Sequence, residues 1–179
     1  MPQWPPRAPK PGEQAIDLEL LDESGRPVEL SLVGRGAPLV VLVFRGLQDA
    51  EGIRLLREFR DCTLAIAKAG ASICAIGHAE PAALRYLRGE RGLGFPMLSD
   101  ADGTALSRWG MLDRAGVFLL DGDLVVRQRA LGPGGRPEAI LSLLRRGGAR
   151  RRSRRTLRER TLQFLGVVQH AFRPLRPVR

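Results

Sequence analysis

The sequence predicts an α/β fold in which a mixed β-sheet is flanked by helices. Two continuous apolar runs, Pro38 to Phe44 and Ala71 to Gly77, are typical of strands buried on both faces. A helical repeat of apolar residues between Asp49 and Ala69 separates them. Strands that alternate with helices build a sheet covered on both sides.

The first predicted elements form a short hairpin. Ile16 to Leu21 alternates in polarity, and Val28 to Leu30 follows after the turn Asp22 to Gly25. The proline-rich residues 1–12 predict an extended arm. The helix from about Asp49 to Ala69 is expected to be continuous and to end at a glycine cap; its apolar face holds Leu55, Phe59, Cys62 and Ile66.

The second half of the chain completes the predicted sheet. The pattern predicts a helix over 80–88, a strand over 95–98, a short helix over 102–109, strands over 116–120 and 124–129, and a helix over 136–146. An Asp-Gly turn joins the last two strands. A closing hairpin and helix after alternating elements is the arrangement of a thioredoxin fold. The predicted domain therefore covers 13–146, between the arm (1–12) and a tail (147–179).

Charge is distributed unevenly between domain and tail. The net charge is +10, but 17 of the 29 basic and 18 of the 19 acidic residues precede position 145. The first 144 residues are therefore close to neutral, and the stretch from Arg145 to the end, which contains the tail, carries 12 Arg with one Glu. A capping box from Thr156 to Glu159 predicts an amphipathic helix. Three roles stay open for the tail: docking on the domain or a second subunit, an anionic membrane surface, and non-specific contact with nucleic acid.

Cysteine usage and the chain start point to a cytoplasmic protein. Cys62 and Cys74 form neither a C-x-x-C pair nor a cluster with metal-ligand spacing, so we expect reduced thiols and no metal or cofactor. The first residues lack the apolar stretch of a secretory signal. No window has the roughly 18 consecutive apolar residues of a transmembrane segment.

Four segments together resemble the peroxiredoxin-like AhpC/TSA (redoxin) family. They are Phe44-Arg45-Gly46, Gly92 to Asp100 (GLGFPMLSD), Trp109-Gly110-Met111, and Arg114 to Gly122 (RAGVFLLDG). The resemblance covers about residues 11–146. It implies a thioredoxin-like fold and a thiol-dependent antioxidant oxidoreductase, in which a cysteine at a helix N-terminus attacks a hydroperoxide and an arginine stabilises the thiolate.

The reacting positions depart from that family. One branch has the motif Phe-x-Arg-Gly-x-x-Cys-Pro-x-Cys. When the glycine of this motif is aligned with Gly46, its first cysteine falls on Asp49 and its second on Gly52. Arg114 resembles the thiolate-stabilising arginine. The resemblance therefore implies a degenerate site without intact catalytic residues. We expect Asp49 to cap the following helix and to pair with Arg114.

Two functions follow from these residues. One is a binding or regulatory module without peroxidase activity, which contacts a protein partner or a second copy through the tail or through the pocket of Asp49 and Arg114. The other is a peroxidase-type oxidoreductase that uses Cys62, or a partner's thiol, in place of the missing cysteines. His78 is interpreted as a loop residue, and Asp100 and Asp102 as turn and capping residues.

Overall fold

The computed structural model describes residues 7–147. Seven strands form one sheet: β1 (Glu19–Leu21), β2 (Pro27–Glu29), β3 (Leu39–Phe44), β4 (Ser72–Gly77), β5 (Met97–Ser99), β6 (Gly116–Leu120) and β7 (Val126–Leu131). The helices are α1 (Leu30–Gly34), α2 (Ala50–Arg60), α3 (Thr63–Lys68), α4 (Pro81–Arg91), α5 (Thr104–Arg108) and α6 (137–147), and a 3₁₀ turn spans Gly132–Gly134.

The sheet is mixed, with the order β2-β1-β5-β4-β3-β6-β7. β3 pairs in parallel with β4 and antiparallel with β6, so it lies near the middle of the sheet. All six residues of β3 are buried, as expected for an apolar strand covered on both faces. The predicted α/β class is confirmed, and the C-terminal end of β3 is the point from which the candidate site is built.

Two apolar clusters cover the two faces of the sheet. Phe44, Phe59 and Leu84 belong to one cluster; Trp109 and Phe118 belong to the other, and their rings meet edge to face with centroids 5.0 Å apart. The two clusters hold the central strands rigidly, so a loop that leaves β3 starts from a fixed point.

The prediction of one helix over 49–69 is wrong. α2 ends at Arg60 and α3 begins at Thr63, with Cys62 at the N-cap of α3. The Thr63 hydroxyl donates to the carbonyl oxygens of Phe59 (3.2 Å) and Arg60 (2.9 Å), which competes with the helical hydrogen-bond pattern. Asp, Cys and Thr in succession are also weak helix formers. The apolar spacing continues across the break, so the periodicity of the sequence does not predict that the helix ends there.

Smaller differences concern the ends of elements. The second strand of the first hairpin stops at Glu29, because the buried Leu30 begins the unpredicted helix α1. Residues 7–12 of the predicted arm follow the edge of β7: the Gly12 N–H donates to the Val126 carbonyl oxygen at 2.8 Å, and the Arg129 guanidinium donates to that of Pro9 at 3.1 Å.

The chain divides into two compact units after Leu144, and the fold above belongs to the first, apart from the last residues of α6. The predicted tail, with its Arg run and amphipathic helix, lies outside the described residues beyond position 147. Within 7–147, no helix has the length and hydropathy that a membrane crossing requires.

Candidate functional site

The loop that joins β3 to α2 carries the candidate site. Gly46 has a φ of +140°, a backbone conformation that side-chain-bearing residues rarely adopt. A Cβ atom at this position would lie 3.0 Å from the His78 carbonyl oxygen. The Asp49 N–H donates to the Gly46 carbonyl oxygen at 3.1 Å and closes the turn. Glycine at position 46 therefore allows the chain to reverse tightly and to place residue 49 at the start of α2.

Asp49 is buried, with its side chain only 2% exposed, and both carboxylate oxygens bind Arg45. Oδ2 accepts a hydrogen bond from the Arg45 backbone N–H, and Oδ1 accepts one from Arg45 Nη2, each at 2.9 Å. Asp49 occupies the N-cap position of α2, as predicted, and its two hydrogen bonds at 2.9 Å come from Arg45 rather than from the helix. Burial opposes ionisation, but the Arg45 donors and the Gly52 N–H outweigh it and hold the pKa of Asp49 below its usual value.

The expected ion pair between Asp49 and Arg114 is corrected by the structure. Arg114 pairs instead with its neighbour, since its Nε lies 3.0 Å from Asp113 Oδ1. The Arg114 guanidinium lowers the pKa of Asp113, with a smaller contribution from Arg45. Asp49, Arg45, Asp113 and Arg114 thus form a chain of alternating charges at this end of the sheet. The arginine that holds the buried carboxylate is the one four residues before it.

Gly52 lies where α2 approaches β3 most closely. A Cβ atom at this position would fall 2.3 Å from Phe44 Cβ and 2.5 Å from Asp49 Oδ2. Real Cβ atoms do not approach other atoms so closely, and Phe44 is fully buried in the central strand. Glycine at position 52 is therefore required by packing.

The two cysteines lie outside this loop and are both free. Cys62 is half-buried at the start of α3 rather than on the face of a continuous helix. Burial raises the pKa of the Cys62 thiol, and the nearby Glu138 and Asp61 carboxylates raise it further. Cys74 is fully buried in β4, where burial raises its pKa to about 12. Both thiols are therefore protonated at neutral pH.

Asp100 and Asp102 have the predicted capping and turn roles at the start of α5. The buried Asp100 carboxylate accepts hydrogen bonds from the N–H groups of Ala105 (3.1 Å) and Leu106 (2.7 Å). Asp102 Oδ1 accepts one from the Thr104 N–H at 2.9 Å. His78 lies in a loop, as predicted, with Nδ1 3.0 Å from the Asp100 carbonyl oxygen. Among residues 7–147, no three His, Cys, Asp or Glu side chains converge as metal ligands would.

Sequence reasoning missed Arg45 as the partner of Asp49. A signal existed, because the two residues are four apart with opposite charge. Such spacing is informative within a helix, whereas here a glycine and a predicted loop lie between them. The pairing depends on the turn at Gly46, which brings the Arg45 backbone and side chain to the same carboxylate.

We expect Asp49→Asn to lower the free energy of unfolding by about 1–3 kcal/mol at neutral pH, because the buried site loses a charged acceptor. The pKa of Asp49 is lower in the folded state than its unfolded value of about 3.9. The stabilisation that the charged Asp49 provides is therefore complete above the pKa of the unfolded state and is lost as the pH falls through the pKa of the folded state. Urea unfolding of wild type and variant at neutral and at acidic pH measures this.

The matched control for this prediction is Asp113→Asn, since the Asp113 side chain is 75% exposed. We expect a much smaller loss there than in Asp49→Asn, because exposed ion pairs contribute little to stability. A difference between wild type and Asp49→Asn that stayed constant from neutral to strongly acidic pH would contradict the assignment of the charged Asp49 as the stabilising form.

Comparisons with known proteins agree on one family. The model of the AhpC/TSA family matches residues 11–129. Relatives from two strains of Mycobacterium tuberculosis, whose names assign them to the peroxiredoxins, are 31% identical over 100 residues, which is 56% of this chain and 63% of theirs. The chain thus matches less than two thirds of the length of these curated relatives.

Solved structures show the same fold. Peroxidoxin BcpB from Mycobacterium tuberculosis superposes with a TM-score of 0.70 at 24% identity, covering 76% of this chain and 97% of that one. A thiol peroxidase from Chromobacterium violaceum gives 0.66 at 22% identity, covering 78% and 88%. Peroxiredoxin Q from Xanthomonas campestris gives 0.64 at 18% identity, covering 73% and 91%. With this fold and the family match over 11–129, the chain belongs to the AhpC/TSA family of peroxiredoxin-like, thioredoxin-fold proteins.

Proposed function

We propose that this chain is a peroxiredoxin-like binding or regulatory module without peroxidase activity. The observation that carries the proposal is the buried carboxylate of Asp49, which is held by the backbone N–H and the guanidinium of Arg45. In this proposal Asp49 and Gly52 stand where the family has its two cysteines, and the anion site is filled by the protein's own side chain.

A carboxylate cannot replace the thiolate chemically. In a thiol peroxidase the thiolate sulfur attacks one peroxide oxygen, the O–O bond breaks, the sulfur becomes a sulfenic acid, and the other oxygen leaves as water or an alcohol after protonation. A carboxylate is a weak nucleophile toward peroxide oxygen and has no oxidised state that a thiol reduces back. The Asp49 site therefore supports anion stabilisation without the redox step.

A second candidate function is a peroxidase-type oxidoreductase that uses Cys62 or a thiol of a partner protein. The observation in its favour is that Cys62 is free and only half-buried. Against it, burial and two nearby carboxylates raise the pKa of this thiol, whereas reactive cysteines have a lowered pKa in an electropositive setting. We therefore rank it below the binding role.

The proposal also includes a location and partners. Free cysteines are ordinary in a reducing cytoplasm, where we place the protein. A protein partner or a second copy of the chain is the expected ligand of such a module. The Arg-rich tail adds a contact of its own, with the domain or a second subunit, an anionic membrane surface, or nucleic acid.

Peroxide turnover tests the choice between the two functions. Purified protein is mixed with hydrogen peroxide and dithiothreitol, and peroxide consumption is followed beside a cysteine-containing peroxiredoxin as positive control. We expect no turnover above the rate without protein. Turnover that disappears in Cys62→Ser but persists in Cys74→Ser would overturn the proposal and establish the second function.

A further inference from the structure

The segment that joins β7 to α6 contacts α2. Its core is Gly132-Pro133-Gly134-Gly135, and we call these residues the 132–135 strap. Three glycines in four residues restrict the backbone little. A Cβ atom at Gly134 would meet nothing within 4 Å, so the middle of the strap is not packed against the domain.

A buried carboxylate oxygen of Glu51 lies against the first residue of the strap. Glu51 is in the first turn of α2, and a Cβ atom at Gly132 would lie 3.4 Å from its Oε1. This oxygen is shielded from water, and no group in the described part of the chain donates a hydrogen bond to it. A buried charged acceptor without a donor is destabilising, so the charge of Glu51 opposes this position of the strap.

Two arginines near Glu51 in the sequence bind other groups. Arg45 donates to Asp49 at 2.9 Å. That hydrogen bond is the main cause that raises the pKa of Arg45, and Glu51 makes a smaller, purely electrostatic contribution. Arg54, one turn along α2, pairs with Glu58 at 3.4 Å. Neither guanidinium therefore offers Glu51 Oε1 a hydrogen bond that would compensate for its burial.

The polar contacts that hold the strap lie at its beginning. The Gly132 N–H donates to the Ala115 carbonyl oxygen at 2.8 Å, next to the Gly116–Leu131 pair at the end of the β6–β7 ladder. Arg54 Nη2 donates to the Pro133 carbonyl oxygen at 3.4 Å, which is longer than the usual limit of about 3.2 Å. The end of a ladder and a long hydrogen bond open more easily than the middle of a sheet.

Apolar packing holds the other end of the strap closed. Gly135 is buried, and a Cβ atom there would lie 2.7 Å from Val117 Cγ1 and 3.2 Å from Leu55 Cδ1. Val117 and Leu55 are themselves buried. Covering these two side chains favours the closed strap, whereas the carboxylate of Glu51 favours its opening.

We propose that the 132–135 strap opens and closes over the start of α2, and that the charge of Glu51 favours the open position. In that position water hydrates Glu51 Oε1, the Gly132 N–H leaves its acceptor, and Leu55 and Val117 are uncovered. The strap is thus a lid over an apolar patch beside α2. The inference concerns the opposite end of the loop contacts from Asp49 and does not rest on the proposed function.

Hydrogen exchange of backbone amides, followed by NMR on the full chain, tests this inference. In wild type we expect the Gly132 amide to exchange through an opening with little urea dependence, because little surface is exposed, while β3 amides require global unfolding. Glu51→Met keeps the length of the side chain without its charge and should slow Gly132 exchange about tenfold. Glu51→Gln removes only the charge and should slow it less.

Glu138→Met is the matched control. Glu138 is exposed and lies in the first turn of α6, so this variant removes the same charge from a helix start without a buried oxygen. It should leave Gly132 exchange as in wild type. The inference is overturned if Gly132 exchanges with the urea dependence of the β3 amides, or if Glu138→Met slows its exchange as much as Glu51→Met does.

The Glu51 variants also decide the role of the charge. Unchanged Gly132 exchange in Glu51→Met would show that the carboxylate does not drive opening, and the inference would fail. If Glu51→Met does not fold, Glu51→Gln takes its place, and an exchange rate equal to that of wild type has the same consequence.

Discussion

Gly52→Ala is expected to lower the free energy of unfolding by about 2–3 kcal/mol, the upper part of the range for forcing extra volume into a packed interior. The new methyl group would fall 2.3 Å from Phe44 Cβ and 2.5 Å from Asp49 Oδ2. Phe44 is fully buried at the end of the central strand, so it cannot move aside without shifting β3. Helix propensity alone would favour alanine by about 1 kcal/mol, so the expected loss runs against the intrinsic preference.

Gly89→Ala is the matched control. Gly89 also lies within a helix, α4, and a Cβ atom there would meet nothing within 4 Å. We expect this variant to be more stable than wild type by about 0.5–1 kcal/mol, because alanine restricts the unfolded chain and favours the helix. Urea unfolding monitored by circular dichroism measures both variants under the same conditions.

The pair of variants separates packing from propensity. A Gly52→Ala protein as stable as Gly89→Ala would show that α2 is not tightly packed against β3, and the account of position 52 would fail. If the loss is found, a cysteine at position 52 meets the same obstacle, because it carries the same Cβ atom. Restoring both cysteines of the family pattern would then require a change in the packing of α2.

Much of the fold could be predicted because burial on both faces leaves a clear pattern. The apolar runs that became β3 and β4 needed no tertiary information, and the Asp-Gly turn between β6 and β7 has specific local chemistry. The break at Cys62 was not predictable from periodicity, since Phe59 and Ile66 remain buried on either side of it. The break depends on the side-chain hydroxyl of Thr63, whose hydrogen bonds the pattern does not encode.

The composition of the site was predicted better than its pairing. A carboxylate at the start of α2 followed from the order of residues after β3. Local contacts decide which arginine pairs with Asp49. Arg114 pairs with Asp113, its neighbour in the sequence, because no loop has to be ordered to bring the two together. The turn at Gly46 places the backbone N–H and the guanidinium of Arg45 within hydrogen-bond distance of Asp49. The local turn therefore pairs Asp49 with Arg45, whereas the family resemblance had indicated the distant Arg114.

A cysteine placed at position 49 should reveal which arginine stabilises an anion there. We expect the thiol of Asp49→Cys to have a pKa at least one unit below the ordinary value of about 8.5, because it lies at a helix N-terminus beside a guanidinium. The experiment uses a Cys62→Ser background, and Cys74 stays silent because it is fully buried. The readout is the pH midpoint of iodoacetamide alkylation. The rate at a single pH is not used, because a thiolate's intrinsic nucleophilicity falls with its pKa and the rate would combine both effects.

Replacing Arg45 and replacing Arg114 are expected to shift this midpoint by different amounts. Arg45→Gln should return the midpoint toward the ordinary value, because it removes the guanidinium that now holds the Asp49 carboxylate at 2.9 Å. Arg114→Gln should move it by less than half as much, because that guanidinium is paired with Asp113. A midpoint that responds to Arg114→Gln and not to Arg45→Gln would show that the site rearranges once a thiolate replaces the carboxylate, which would contradict the assignment of Arg45 as the anion-holding residue.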